Sequence, residues 1–306
     1  NFTTTATNNT YACTYGIPIA TSVTTSTTGT NLFGCDYSQT STTTNTPMLI
    51  NASGVEVATP ASGQKLAYVI KSSDTEVTAS SSTDIFGNTT TLAIGTGKGS
   101  KVTYTYGKTT GPNSENIWGI TGAVETQHMV TTGKDIFGNN FTTTATNNTY
   151  ACTYGIPVAT KVQTETTGKN MFGCDYYSKT ETINTPGIFE KDGRKAYLIK
   201  ISTTKMLDNW SDDVFGNRSS MVRGSRVVYI YGEAVDVNNK PIWGITGATE
   251  SATLKMKGSD LFGNSYYTVT QNQEYACRYG IPVATKVHTT TIGTNLFGCD
   301  YKSVTI

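Results

Sequence analysis

One segment occurs three times in this chain and limits what the chain can fold into. It begins YACTYGIPIAT at Tyr11 and ends NLFGCDY at Tyr37. It returns as YACTYGIPVAT to MFGCDY over Tyr150 to Tyr176, and as YACRYGIPVAT to NLFGCDY over Tyr275 to Tyr301. Each copy carries two cysteines 22 positions apart: Cys13 and Cys35, Cys152 and Cys174, Cys277 and Cys299. A chain made by copying a short segment stacks equivalent supersecondary units, so its period comes before any other reading.

The true period is shorter than this segment. Phe-Gly followed by Asn or Cys occurs at Phe33, Phe86, Phe137, Phe172, Phe215, Phe262 and Phe297. About 18 residues before each stands another aromatic, followed two places later by Ile: Tyr15, Tyr68, Trp118, Tyr154, Tyr197, Trp243 and Tyr279. The chain reads as seven copies of one unit, with these fourteen aromatics as the core of each repeat. A cysteine unit, an A-Y-[VL]-I-K unit and an I-W-G-I-T-G-A unit follow one another twice, and a third cysteine unit closes the chain. The expected divisions are residues 1–139, 140–264 and 265–306.

Within a unit the pattern has period two. Tyr154, Ile156, Val158, Thr160 and Val162 share one parity; Lys161, Gln163 and Glu165 share the other. That alternation predicts strands with one apolar and one polar face. No useful length carries the i, i+3, i+4 spacing of an amphipathic helix, and about one residue in five is Thr, which is β-branched. The expected fold is all-β: tandem β-hairpin or β-arch repeats forming extended antiparallel sheets.

The cysteines are expected to staple it. Three units carry Cys at both positions. The other four carry it at neither: Leu66 with Asn88, Asn116 with Asn139, Lys195 with Asn217, Pro241 with Asn264. Positions that change together are expected in contact. With Tyr15 opposite Phe33, Cys13 lies opposite Cys35, within disulfide range in an antiparallel ladder. The expected bridges are Cys13–Cys35, Cys152–Cys174 and Cys277–Cys299, with cross-links between subunits as the rival. The midpoint of this register falls near Thr24, in a Thr-rich run without turn residues. Paired cysteines also point to an oxidising compartment.

Little looks catalytic. His128 and His288 lie where sister units carry ordinary polar residues. The run Gly95 to Ser100 lacks the spacing of a phosphate loop. The D-x-F-G-N turns offer one carboxylate each, thin for a hard cation. Asp212–Asp213 is an acidic pair, but Asp84 stands alone at the sister position. No catalytic residue, metal or cofactor is expected.

Charged residues are 15 % and the formal net charge is +1. No basic field attracts nucleic acid, and no apolar run reaches the ~18 residues of a membrane-spanning helix. The sequons, among them Asn51 and Asn209, admit glycans as a partner. Low charge density favours association. Because the chain starts inside a repeat and ends after a cysteine unit, the expectation is a processed chain whose open sheet edges template further copies.

In composition and repetition the whole chain resembles the extracellular sheath proteins of filamentous methanogenic archaea. That resemblance implies β-arches stacked into rings of a resistant cylinder, and it implies no site residue. The expected function is a self-assembling, non-enzymatic subunit of a sheath, tube, filament or surface layer, partnered by itself, at the cell surface. The alternative is a repeat-built adhesin or carbohydrate-binding protein with Tyr and Trp faces as platforms.

Overall fold

The structure, a computed structural model, describes residues 2–30, 34–236 and 238–306. The fold is all-β and antiparallel, as expected. Among the described residues there is no helix and there are nineteen strands. They are β1 (Phe2–Thr14), β2 (Ile17–Thr30), β3 (Asp36–Asn51), β4 (Leu66–Thr83), β5 (Thr89–Leu92), β6 (Lys101–Thr110) and β7 (Asn116–Gln127). There follow β8 (Val130–Lys134), β9 (Asn140–Thr153), β10 (Ile156–Lys169), β11 (Asp175–Lys191), β12 (Arg194–Asp212) and β13 (Arg218–Arg223). The last are β14 (Arg226–Val235), β15 (Pro241–Ala252), β16 (Leu254–Ser259), β17 (Ser265–Arg278), β18 (Ile281–Thr294) and β19 (Asp300–Thr305).

Packing divides the chain into two compact units. One holds residues 1–132, 147–160 and 187–198; the other holds 133–146, 161–186 and 199–306. This is a partition by contact, whereas the expected triplets are a partition by sequence similarity. In the first unit β1 to β4 form an antiparallel meander, and β5 and β6 both pair with β4. The second unit repeats the device: β12 pairs with β13 and with β14, β13 with β16, and β16 to β19 continue as a meander.

The Thr content explains the pairing. Hydroxyls of directly opposed residues meet across the ladders: Thr4 with Thr27 at 3.0 Å, Thr43 with Thr75 at 2.9 Å, Thr268 with Thr291 at 3.2 Å. Each such pair is worth roughly 0.2–1 kcal/mol over Ala–Ala. A β-branched side chain that bonds its cross-strand neighbour stabilises a strand without needing a core beneath it.

The core is correspondingly slight. Among the described residues the buried hydrophobic side chains are Ile50, Val102 and Cys174, and no large side chain is fully buried. The alternation expected along β10 is absent: nearly every residue from Pro157 to Thr166 is half-buried. Flanking strands cover each side chain from the sides, and both faces stay about equally accessible. A folded monomer of 32.8 kDa exposes about 12,500 Å². This chain exposes 17452 Å².

None of the three expected disulfides is formed. The register that implied them fails at the turn. β1 and β2 are joined by two residues, Tyr15 and Gly16, with φ of 51° and 73°. Positive φ at both central residues makes the tight hairpin that matches strand twist. Cys13 therefore faces Pro18, and Cys277 faces Pro282. Thr24, taken as the midpoint of an arch, lies in mid-strand opposite Thr7. Pro282 and Thr294 lie near the two ends of β18, about 40 Å apart at the rise of a strand. Bridged cysteines need Cα atoms within about 7 Å. Peptide mapping without reductant is expected to recover no Cys13–Cys35, Cys152–Cys174 or Cys277–Cys299 peptide from monomeric protein. One such peptide in good yield would refute this register.

Candidate functional site

The second end of each hairpin carries the Phe-Gly sequence. Asp84 begins one such turn. Its Oδ1 accepts the backbone N–H groups of Phe86 and Asn88, each at 2.9 Å. Its Oδ2 accepts the side-chain amide of Asn88 at 2.6 Å. Gly87 closes the turn at φ 89°, donating to the Asp84 carbonyl at 3.0 Å. The same bonds recur at Asp135, Asp213 and Asp260. In two cysteine units an Asn does this work. Asn170 Oδ1 accepts from Phe172 and Cys174, and Asn295 Oδ1 from Phe297 and Cys299.

This geometry accounts for a second covariation, between the first and fifth residues of the turn. Where the fifth turn residue is Asn, the first is Asp, and the Asn amide donates to the second carboxylate oxygen. Where the fifth is Cys, no amide needs that oxygen and the first is Asn. The backbone N–H groups of Cys174 and Cys299 donate to the residue four positions upstream, within their own turns.

The turn also decides where Phe points. Phe86, Phe137, Phe172, Phe215, Phe262 and Phe297 are 65–85 % exposed. They stand on solvent instead of filling a core; Phe33 lies outside the described residues. Each stands beside an exposed aliphatic residue: Ile85, Ile136, Met171, Val214, Leu261 and Leu296. The leading aromatics divide in two. Tyr15, Tyr154 and Tyr279 open the two-residue turns at positive φ. Tyr68, Tyr197, Trp118 and Trp243 are half-buried within strands. Both tryptophans donate Nε1–H to a backbone carbonyl, Trp118 to Ile70 and Trp243 to Ile199, each at 2.8 Å.

Three turns in the second unit form a row. Ser265 pairs with Thr294, which sets the turns at 260–264 and 295–299 side by side. Leu296 N donates to Asn264 Oδ1 at 2.6 Å between them. Ser220 opposite Lys257 brings the turn at 213–217 next to them. Successive turns at one end are two strands apart, about 10 Å.

The turn carboxylates are charged at neutral pH. The Asn side chain holds the Asp84, Asp213 and Asp260 carboxyls below their ordinary value, backed by the turn amides. At Asp135 desolvation pushes upward, and the Asn139 side chain and turn amides outweigh it. A carboxyl depressed by folding stabilises the turn above its unfolded pKa, and that support is lost as pH falls through the folded value. Acidification below about pH 4 is therefore expected to loosen the Asp turns. The Asn turns at 170–174 and 295–299 carry no such carboxyl and serve as internal controls. Amide exchange by mass spectrometry, corrected for intrinsic rates, checks this; equal loss of protection in both kinds of turn would refute it.

A second cluster escaped the sequence reading. Glu125 on β7 has a side chain only 2 % exposed. It accepts from Asn148 Nδ2 at 2.8 Å and lies 3.0 Å from His128 Nδ1. Its sister Glu250 on β15 accepts the backbone N–H of Asn272, beside a bulge in β17. Burial, then the Glu125 and Tyr104 charges, push the Tyr150 hydroxyl up to about 12. Burial likewise raises the Glu250 carboxyl. The signal was available, since Glu125 and Glu250 occupy the same place in the two Trp units. These groups meet backbone and one another, as a structural clamp does. His288 lies on β18 opposite Gln271.

The ends opposite the Phe-Gly turns carry clefts. In the first unit a cleft of about 530 Å³ is lined by Tyr15, Ile17, Leu49, Pro60 and Tyr68. In the second a cleft of about 470 Å³ is lined by Val235, Ile245, Arg278 and Tyr279. Among the described residues no three His, Cys, Asp or Glu converge on a metal position, and no helix is long and apolar enough to cross a membrane. No family model, no curated protein and no solved structure matches this chain.

Proposed function

We propose that this chain is a structural subunit of a self-assembling extracellular array, such as a sheath, tube, filament or surface layer, and performs no catalysis. The observation that carries this reading is surface. The chain exposes 17452 Å², roughly 5,000 Å² more than a monomer of its mass is expected to. A standard protein interface takes about 800 Å² from each partner. Contacts with further copies would cover apolar side chains that no core covers.

The finer architecture is seven hairpin units in series, each closed at one end by a Phe-Gly turn. The turns at 84–88, 135–139, 170–174, 213–217, 260–264 and 295–299 support that division. β1 pairs antiparallel with β2, and β19 with β18; a sheet edge left open would accept another chain, and lateral growth would use it.

Sedimentation across rising concentration, with electron microscopy before and after hot reductant, tests the reading. Ordered polymer that survives reduction is the expected result, since no in-chain bridge holds the fold. Monodisperse monomer at every concentration would sink it. One feature favours the adhesin alternative: the cleft between Tyr15 and Tyr68, with Ser62 and Gln64 beside it, pairs aromatic faces with polar groups as sugar sites do. Specific binding on a glycan array by a chain that stays monomeric would bring that reading forward.

A further inference from the structure

Independently of how copies assemble, we infer that one sheet face of the second unit is a binding site for an acidic polysaccharide. Arg218 and Lys257 take carboxylates of the sugar chain, and Tyr267 takes the face of a sugar ring. Six positions on this face depart from the repeat. The first triplet carries Ser38, Ser81, Thr83, Thr89, Thr132 and Thr142 where the second carries Tyr177, Trp210, Asp212, Arg218, Lys257 and Tyr267. In the first unit small hydroxyls close the face on itself: Ser38 meets Ser81 at 2.7 Å, and Thr132 meets Thr91 at 3.5 Å. Strand pairing therefore needs none of the larger side chains.

Register brings them together. Trp210 lies opposite Ser220, Ser220 opposite Lys257, and Lys257 opposite Tyr267. One line thus crosses β12, β13, β16 and β17 on a single face, over about 14 Å. Arg218 stands two residues from Ser220 and shares that face. Its guanidinium lies 3.9 Å from the centre of the Trp210 ring, and it donates Nε–H and Nη2–H to Asp212 at 2.7 and 2.9 Å. Tyr177 stacks with the same Trp210 ring at 6.0 Å. Arg218 is therefore held in place before a ligand arrives, with further N–H groups of its fork left to donate. Along the line Lys255 Nζ lies 4.8 Å from the centre of the Tyr267 ring, and Tyr267 stays 48 % exposed. A cleft of about 300 Å³ is lined by Arg218, Ser220, Lys257, Ser259, Ser265 and Tyr267.

This lining selects the ligand class. A carboxylate matches the planar Arg fork and the Lys charge. Serine hydroxyls can both donate to and accept from sugar hydroxyls, and an exposed Tyr ring offers a flat apolar surface. β13, β16 and β17 have paired neighbours on both sides. Their backbone is not offered to a peptide as an added strand, so side chains alone must read the ligand. Asp208 and Asp212 share the face with Trp210, at alternate positions of β12. A continuous phosphate backbone would meet repulsion there, and nucleic-acid sites keep such a stripe basic throughout. Cations set apart by hydroxyls and carboxylates suit a sugar chain that carries its acids at intervals.

Titration of the full chain with oligogalacturonate, read by Trp fluorescence and calorimetry, tests the site. The methyl ester of the same oligomer, which lacks the charge, is expected to bind about tenfold more weakly or worse, as loss of a charged hydrogen bond requires. Lys257→Thr and Tyr267→Thr restore the first triplet's residues and so keep the strands paired, which circular dichroism checks. Each is expected to weaken binding by about tenfold or more. Lys257→Arg is expected to retain it, and Lys65→Thr, on the first unit, to leave it unchanged. No binding by the wild type, equal binding of the methyl ester, or full binding by both Thr variants would each overturn the site. Tighter binding of oligothymidylate would overturn it in favour of nucleic acid. Polymeric chain is read with the same probes by co-sedimentation. Polymer that binds none of them would sink this site and leave the assembly reading standing.

Discussion

Replacing Gly224 with Ala is expected to destabilise the second unit by about 3 kcal/mol, the upper range for forcing an atom into a packed site. A Cβ at Gly224 would fall inside the contact shell of the Met206 carbonyl oxygen, and one at Gly99 would do the same to the Val77 carbonyl. These are backbone atoms of a paired strand, and neither can swing aside. Met206 N donates to Ser225 O at 3.0 Å and Val77 N to Ser100 O at 2.8 Å, so relief would break the ladder next to the clash. Gly216→Ala is the contrast. A Cβ there meets nothing within 4 Å, so only the positive φ of 82° resists, at about 1–2 kcal/mol. Thermal melts rank the two variants, and hydrogen exchange over 200–235 locates the damage. Equal effects would mean that backbone crowding is not what excludes a side chain at Gly224.

Removing the buried clamp is expected to be nearly as costly. Glu125→Ala leaves the Asn148 side-chain amide on β9 without its acceptor, a loss of about 1–3 kcal/mol. The unpaired His128 is partly exposed and can turn to water. Glu250 adds a pH signature. Its carboxyl is raised by burial, so the folded chain holds the proton more readily than the unfolded one. That stabilisation is present below the unfolded pKa, about 4.3, and is lost as pH rises through the folded value. Glu250→Gln still accepts from Asn272, and is expected to flatten this slope while leaving stability near neutral pH equal or higher. Urea titrations at several pH values check it; an unchanged slope would show that Glu250 titrates as an ordinary surface carboxyl. The slope runs opposite to that of the turn aspartates, which lose support on acidification.

Much of the fold was legible from composition and period. Thr-rich alternation, absent helical spacing and recurring Phe-Gly predict antiparallel strands between turns, and the strands form where those patterns lie. Burial was not legible. The parity that sends Ile156 and Val158 to one face and Lys161 to the other is real, but a face becomes an interior only when another layer covers it. The candidate site was half legible. The Phe-Gly positions were found and given the wrong environment, because an Asp or Asn accepting two backbone amides aims the next side chain but one outward. Glu125 and Glu250 were passed over because one carboxylate per unit resembles a solvated strand residue until an Asn from a strand two further along the chain is brought to it.

The cysteines mark the boundary most clearly. The sequence alone determined their spacing, their restriction to one kind of unit and their covariation, since these are properties of a linear repeat. The tertiary structure alone decided that partners in covariation are not partners in space. Tyr15 accepts positive φ beside Gly16, which a bulky residue rarely does, and that choice converts a supposed arch into two hairpin ends. Once the turn moves, every register position moves with it, and cysteines meant to touch stand at opposite ends of a fourteen-residue strand. A repeat specifies which residues are equivalent; local backbone energetics at a two-residue turn specify which ones meet.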